Sequence, residues 1–391
     1  MRVCLITPRY PPDRCGVGDY TELLACHLAQ RGSAVTVITS CGLAAQGAGS
    51  RHGGVKVLPL IAEWSWSSLP HLVALVAAGR YDVAHVQYQN EMYGRSAAIA
   101  ALPLALRAAR VKTPTVVTVH DYGTPWPRRV RVRLLAGPYG KAWFAAMLLA
   151  SARIILTNEQ DEWRFLHQRL RYPVPASRYS IIPVGSNLPA VSTPDSKPAT
   201  AGVTIGYFGF VNPAKGVDTL LDAFALARQQ RPDLRLTLIC ALRPHDPYHQ
   251  MLLRQLEDEA LRGAVTLTGE LDDDETARTL AKCHVVVLPF RDGVSLRRTT
   301  LMAALALGRP VISTRAAVLP AALHDGRHIV LVPPADAVAL ARAMVELGDD
   351  PDRRRTLGEQ ARAAAGAFTW PAIAGQTEDL YRRVLSRMDM T

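Results

Sequence analysis

Short runs of Val, Ile, Leu and Ala alternate along the chain with segments whose apolar residues recur every three or four positions. "RVCLIT" (2–7), "AVTVIT" (34–39), "VKVLPL" (55–60), "VAHVQY" (83–88), "PTVVTVH" (114–120) and "ARIILT" (152–157) read as strands, and the periodic segment "DYTELLACHLAQRG" (19–32) reads as a helix between the first two. Continuous apolar strands separated by helices are what a parallel sheet buried on both faces requires, because each crossover lays a helix over the sheet. The pattern breaks at "AVSTPDSKPATAG" (190–202), which is rich in Pro, Ser, Thr and Ala and predicts a linker. A second alternation follows through "VTIGYFGF" (203–210), "LRLTLIC" (234–240), "AVTLTG" (264–269), "VVVLPF" (285–290), "RPVIST" (309–314) and "HIVLVP" (328–333), and helices close the chain.

The expected fold class is therefore α/β, with two Rossmann-like doubly wound parallel-sheet domains at 1–189 and 203–370, the linker 190–202, and a C-terminal helix, 371–391, packing back toward the first domain. At 391 residues the chain is too long for a single core. Two such domains facing a central cleft would line it with the carboxyl ends of both sheets, where ligands of open α/β sheets bind.

Composition changes the picture in two places. The formal charge of +11 fits nucleic acid, an anionic membrane surface or a phosphorylated substrate equally well, so its location matters more. "PWPRRVRVRLLAGPYGK" (125–141) sets Arg128, Arg129, Arg131 and Arg133 among Val and Leu, just after Trp126. This is either a solvated helix face or a basic, partly apolar surface for anionic lipid or an anionic acceptor. The basic runs are not interleaved with aromatics and no recognition motif is present, so no nucleic-acid partner is expected. The six cysteines lack metal-ligand spacing and read as reduced and structural, with no metal. "MRVCLITPRYPP" reads as a first strand rather than a signal peptide, and no run approaches the roughly 18 uncharged apolar residues of a spanning helix. A cytoplasmic protein, in peripheral contact with the inner membrane face at most, is expected.

Four stretches carry candidate chemistry. Gly16 and Gly18 lie between the first strand and the first helix, where backbone N–H groups can meet a ligand at the positive helix end. Thr21 replaces the third glycine of the dinucleotide fingerprint, and a tight turn capped by Asp19 or Thr21 is the plain alternative. His120 and Asp121 stand at the carboxyl end of an apolar strand, where a histidine has more to do than fill a core. Lys215 and Gly216 immediately precede a helix whose first turn holds Asp218; there a lysine can reach phosphate oxygens or simply lie on the surface. In "RDGVSLRRTTLMAALALGRPVIST" (291–314), Gly293 and Ser295, a candidate N-cap, lead into a helix that Arg297, Arg298 and Thr299 enter. Arginines at a helix N-terminus oppose its dipole by a few tenths of a kcal/mol. A broken local rule of that kind marks a site, here one for an anion.

Taken in order, "PRYPPDRCGVGDYTELLACHLAQRGSAVTVITS", "VTVHD", "IIPVGSN", "GYFGFVNPAKGVDTLLDAF", "VTLTGEL" and "LMAALALGRPVIST" resemble the family 4 glycosyltransferases of the GT-B fold over nearly the whole chain. The resemblance implies a retaining, metal-independent enzyme of the hexosyltransferase type with no cofactor. Such an enzyme moves a sugar from a UDP- or GDP-sugar held by the C-terminal domain to a glycan, lipid-linked or small-molecule acceptor held by the N-terminal domain. It implies that Lys215 neutralises the donor diphosphate, that His120 stands beside the transferred sugar, and that Gly16 and Gly18 lie near the diphosphate. By the same resemblance Glu270 and Leu271 hold the base, and Asp19, Tyr20 and Asp121 stand near the acceptor. Three positions depart from the family. Phe210 replaces its arginine after the first strand of the second domain, and Ser295 and Ala303 replace two glutamates eight apart. Arg297 and Arg298 then read as a guanidinium charge moved from one loop to another. The missing carboxylates leave an inactive nucleotide-sugar-binding protein as the alternative.

Overall fold

A computed structural model of the chain describes residues 1–13, 15–42, 54–94, 96–120, 130–167, 174–189 and 202–388, without the side chains of 130–138 and 164–167. The chain divides into two compact units, Met1–Pro183 with Trp370–Thr391, and Val184–Thr369. Apart from Gly202, the expected linker lies outside the described residues.

The first unit runs β1 (Arg2–Ile6), α1 (Gly16–Gln30), β2 (Ala34–Ser40), β3 (Val55–Ile61), α2 (Leu69–Gly79), β4 (Val83–Tyr88), α3 (Ala98–Ala108), β5 (Thr115–Val119), α4 (Val130–Ala150), β6 (Arg153–Leu156), α5 (Glu159–His167) and β7 (Tyr179–Ile181). Its strands pair in parallel in the order β3-β2-β1-β4-β5-β6-β7. Because side chains alternate across a strand, the register sorts them onto two faces. Ala84, Val86, Tyr88, Val117 and Val119 pack with Leu72 and Val76 of α2, Leu102 and Leu106 of α3, and Phe144, Met147 and Leu148 of α4 in one apolar cluster. The opposite face carries the aligned row Leu5, His85, Val116 and Arg153, followed by Gln87 and Thr118.

The second unit runs β8 (Thr204–Phe208), α6 (Val217–Gln230), β9 (Arg235–Ile239), α7 (Pro247–Gln255), β10 (Val265–Leu267), α8 (Asp273–Lys282), β11 (Val285–Leu288), α9 (Thr299–Ala306), β12 (Val311–Thr314), β13 (Val330–Val332), α10 (Ala337–Asp349) and α11 (Pro351–Ala365). Its parallel sheet is ordered β10-β9-β8-β11-β12-β13. The last helix, α12 (Trp370–Met388), belongs to the first unit. It closes the polar sheet face: the Tyr381 hydroxyl lies 2.6 Å from His85 Nδ1, and Glu378 accepts from Arg31 at 2.7 Å. Strand order reverses between β1 and β4 and again between β8 and β11, so the loops leaving those strands flank the crevice where doubly wound sheets bind ligands.

Candidate active site

In the second unit the loops after β8 and β11 are built against each other. Asn212 caps a short turn, Pro213–Lys215, by accepting the Ala214 N–H at 3.0 Å, and Arg291 donates its backbone N–H to the Ala214 carbonyl at 3.0 Å. Gly216 sits at φ +68, where a side chain would drive its Cβ to 2.1 Å from the Pro289 carbonyl oxygen. Gly293, at φ +83, similarly lies against Ala316. Only glycine permits either approach. His249 fixes the neighbouring loops, accepting from the Arg243 N–H at 2.8 Å through Nδ1 and donating from Nε2 to the Val211 carbonyl at 3.0 Å.

The floor of this arrangement is the buried ring of Phe290. Lys215 Nζ stands 5.2 Å from its centroid, and the guanidinium carbon of Arg298 stands 3.9 Å from it. Each cation–π contact contributes about 0.5–2 kcal/mol, enough to hold two like charges over one ring. Burial, and after it the charge of Arg298, pulls Lys215 down to about 8; burial brings Arg298 down to about 10. The Arg298 side chain is only 10% exposed. The Asp292 carboxylate accepts from Arg298 and, at 3.2 Å, from Arg297. Arg291 pairs instead with Asp218, to which Tyr248 donates its hydroxyl at 2.9 Å. Arg297 and Arg298 thus share Asp292 at the start of α9, with Lys215 across the Phe290 ring, and the helix dipole adds positive potential. Ser295 Oγ, Arg298 Nε and Thr300 Oγ1 are buried there without a hydrogen-bond partner among the described residues. Unmet groups of this kind cost about 1–3 kcal/mol each and are what a polar ligand would satisfy.

The structure corrects one detail of the sequence reading. Ser295 is not the N-cap of α9: Val294 still bonds to the Thr314 carbonyl beside β12, and a turn from the Ser295 carbonyl to the Arg298 N–H intervenes. The helix begins at Thr299 with Arg298 as its extended N-cap, while Ser295 is buried upstream. Ala303 is buried in the core of α9. Glu270 follows Gly269 after β10, exposed and 3.9 Å from Arg243, with Leu271 half-buried beside it.

In the first unit Gly16 opens α1 with free space around it, whereas a side chain on Gly18 would bring Cβ to 3.2 Å from the Arg9 carbonyl oxygen. Neither Asp19 nor Thr21 caps the helix. Cys15 occupies the N-cap, Thr21 donates back to the Val17 carbonyl at 2.6 Å, and Asp19 lies within the first turn. Tyr20 is buried, its ring 4.7 Å from that of His120 and 5.2 Å from that of Trp370. His120 follows β5, with Nε2 2.9 Å from Gln87 Oε1 and its N–H on the Tyr88 carbonyl. Burial lowers His120 to about 3, and lowers His85, bonded through Nε2 to Thr118 at 2.7 Å, to about 3 as well. Both imidazoles are neutral at physiological pH. Asp121, Arg128 and Arg129 lie outside the described residues; Arg131 and Arg133 fall on α4 without described side chains.

Gln87, His85, Phe290 and Asp292 escaped the sequence reading, although one signal was present. Polar residues at every second position inside otherwise apolar strands, His85 and Gln87 or Thr118 and His120, mark a face that must be satisfied by hydrogen bonds.

The glycosyl transferases group 1 family matches residues 202–350, and the glycosyl transferase 4-like domain matches residues 15–185. The chain is a family 4 glycosyltransferase of the GT-B fold. This glycosyltransferase is 28% identical to a D-inositol 3-phosphate glycosyltransferase of Pseudarthrobacter chlorophenolicus, covering 96% of this chain and 92% of that protein. It is 26% identical to the MMP alpha-(1->4)-mannosyltransferase of Mycolicibacterium hassiacum, over 81% of this chain and 74% of that one. Among solved structures, the sucrose-phosphate synthase of Thermosynechococcus elongatus superposes with a TM-score of 0.76 at 22% identity, covering 99% of this chain and 100% of that one. Anabaena HepE in complex with UDP superposes with a TM-score of 0.75 at 18% identity, covering 98% and 100%. At these identities the structural likeness speaks to the fold of the glycosyltransferase.

Proposed function

We propose that the glycosyltransferase takes a hexosyl group from a UDP- or GDP-linked donor held by the second unit and transfers it, without a metal ion, to an acceptor hydroxyl held by the first. The observation that carries this reading is the pair of cations, Lys215 and Arg298, over Phe290, with Arg297 adjoining and Asp292 pairing both arginines. Loss of a nucleoside diphosphate develops negative charge, and preorganised cations and helix N–H groups stabilise it without further reorganisation. Thr299 at the helix start and the buried hydroxyl groups of Ser295 and Thr300 suit the remaining polar atoms of diphosphate and sugar. Glu270 and Leu271 suit the base, being on the loop beyond β10 in the same unit.

His120, held neutral, acts as a hydrogen-bonding partner for a sugar hydroxyl rather than as a proton shuttle. Asp19 serves the acceptor, and the Gly16–Gly18 backbone at the start of α1 serves the donor diphosphate. Family membership supports retention of configuration, and HepE has been solved with UDP, with UDP and glucose, and with UDP-glucose. A reducing, cytoplasmic setting suits six free cysteines. One observation favours a second reading, a protein that binds nucleotide sugars without turning them over: Ser295 and Ala303 offer no carboxylate where relatives place two. A panel of UDP- and GDP-sugars decides between the two readings. Transfer or hydrolysis of one donor supports the enzyme, and binding of a donor without turnover supports the second reading.

A further inference from the structure

The chain's positive charge is concentrated in one stretch of the first unit. Residues 92–158, which include α3, β5, α4 and β6, hold ten lysines and arginines, of which Arg153 is buried on the opposite sheet face, against a single carboxylate, Asp121, in a protein whose net charge is +11. Helices α2, α3 and α4 make one layer, covering the apolar sheet face with their inner sides. Their outer side carries aromatic surface. Trp66, 43% exposed just before α2, meets the half-buried Trp143 of α4 at 5.0 Å between centroids, and Trp143 meets the 50% exposed Tyr139 at 6.3 Å. Leu104 of α3 is also exposed, as are Arg110 and Lys112 just past the end of α3. The carboxylates beside the layer, Glu63 ahead of α2, Asp82 between α2 and β4 and Glu91 after β4, do not balance this charge.

Tryptophan and tyrosine rings that are half apolar and half polar suit the boundary between headgroups and acyl chains, and arginine and lysine beside them suit anionic headgroups. Among the described residues no helix is long and apolar enough to cross a membrane, so such a face would rest on the bilayer rather than span it. We propose that the outer face of the α2–α3–α4 layer docks the protein peripherally on an anionic phospholipid membrane, with Trp66, Trp143 and Tyr139 as its interfacial anchor and Arg110 and Lys112 among its headgroup contacts. This surface is separate from the cation cluster of the second unit, and its test needs no turnover.

The full chain is sedimented with vesicles of phosphatidylglycerol or of phosphatidylcholine in about 0.01 M and about 1 M salt, where the screening length is about 30 Å and 3 Å. Retention on phosphatidylglycerol at low salt, release at high salt and no retention on phosphatidylcholine are expected. An Arg110→Glu/Lys112→Glu variant and a Trp66→Ala variant should each partition at least tenfold more weakly while keeping the wild-type melting temperature, since all three side chains are solvent-exposed. Equal retention on neutral vesicles, no retention at low salt, binding to duplex DNA but not to vesicles, or variants that partition like the wild type would each overturn the proposal.

Discussion

In the first unit His85, Gln87, Thr118 and His120 carry no net charge and bond to one another or to Tyr381, whereas the loops after β8 and β11 of the second unit set Lys215 and Arg298 over Phe290 and pair Arg297 and Arg298 with Asp292. Both groups stand on doubly wound parallel sheets, so the difference lies in the side chains rather than in the architecture. The first unit offers a substrate neutral hydrogen-bonding groups, among them the Gln87 amide nitrogen and the Tyr10, Tyr20 and Thr39 hydroxyls, which are buried without a hydrogen-bond partner among the described residues. The second gathers positive charge beside hydroxyl groups that are buried without a hydrogen-bond partner among the described residues, which suits an anionic ligand with hydroxyls of its own.

The largest effect that would break this contrast is on Lys215. Lys215→Ala should lower kcat/KM for the nucleotide-sugar donor by at least a hundredfold, about 2.7 kcal/mol. Because Lys215 is held down to about 8, donor affinity should fall as pH rises through 8 and the ammonium is lost, and Lys215→Arg should flatten that dependence. An alanine variant with wild-type kcat/KM would remove the second unit's half of the comparison.

Acid tests the first unit. His85 and His120 are held down to about 3 when folded, so between about pH 6.5 and 3 the unfolded chain binds the protons that the folded chain refuses. Stability should therefore fall as pH drops below 6.5, by about 1.4 kcal/mol per pH unit for each histidine. Urea unfolding at pH 7, 6 and 5 measures it, and His85→Gln should reduce the slope. A flat profile would mean that the imidazoles are charged or exposed.

Smaller still, Tyr381→Phe removes one partner of the buried His85 and should cost about 1–3 kcal/mol of unfolding free energy while leaving UDP and GDP binding unchanged. Weakened nucleotide binding in that variant would contradict a purely internal role for the first unit's network. The smallest expected change is a gain. Asp292 holds Arg297 and Arg298 as an internal anion, so Asp292→Asn should tighten nucleoside diphosphate binding by a few-fold. Weaker binding in a fluorescence titration would instead show that the carboxylate shapes the guanidiniums for the ligand.

The strands were legible because buried parallel strands are written as Val, Ile and Leu-rich runs; "VVVLPF" falls where β11 lies, and "VAHVQY" where β4 lies despite His85 and Gln87. Lys215, Arg297 and Arg298 were legible as candidates because glycine-bearing loops after apolar strands are where such sheets place ligands. Their convergence was not, because it depends on Phe290, an apolar residue that reads as the end of a strand and works as the floor beneath two cations. The start of α9 was misplaced because Ser295 has the right chemistry for an N-cap, while the backbone beside β12 delays the helix to Thr299. Tyr20 looked available at the start of a helix, and only the packing of His120 and Trp370 shows that its ring is core.

The central claim is that the cations gathered over Phe290 in the second unit bind a nucleoside diphosphate. Calorimetric titration of UDP and of GDP into the wild type and Arg298→Ala tests it most directly. The account predicts that the wild type binds at least one of them and that the variant binds it at least tenfold more weakly, about 1.4 kcal/mol. Equal affinity in the two proteins, or no binding of either nucleotide to the wild type, would contradict it.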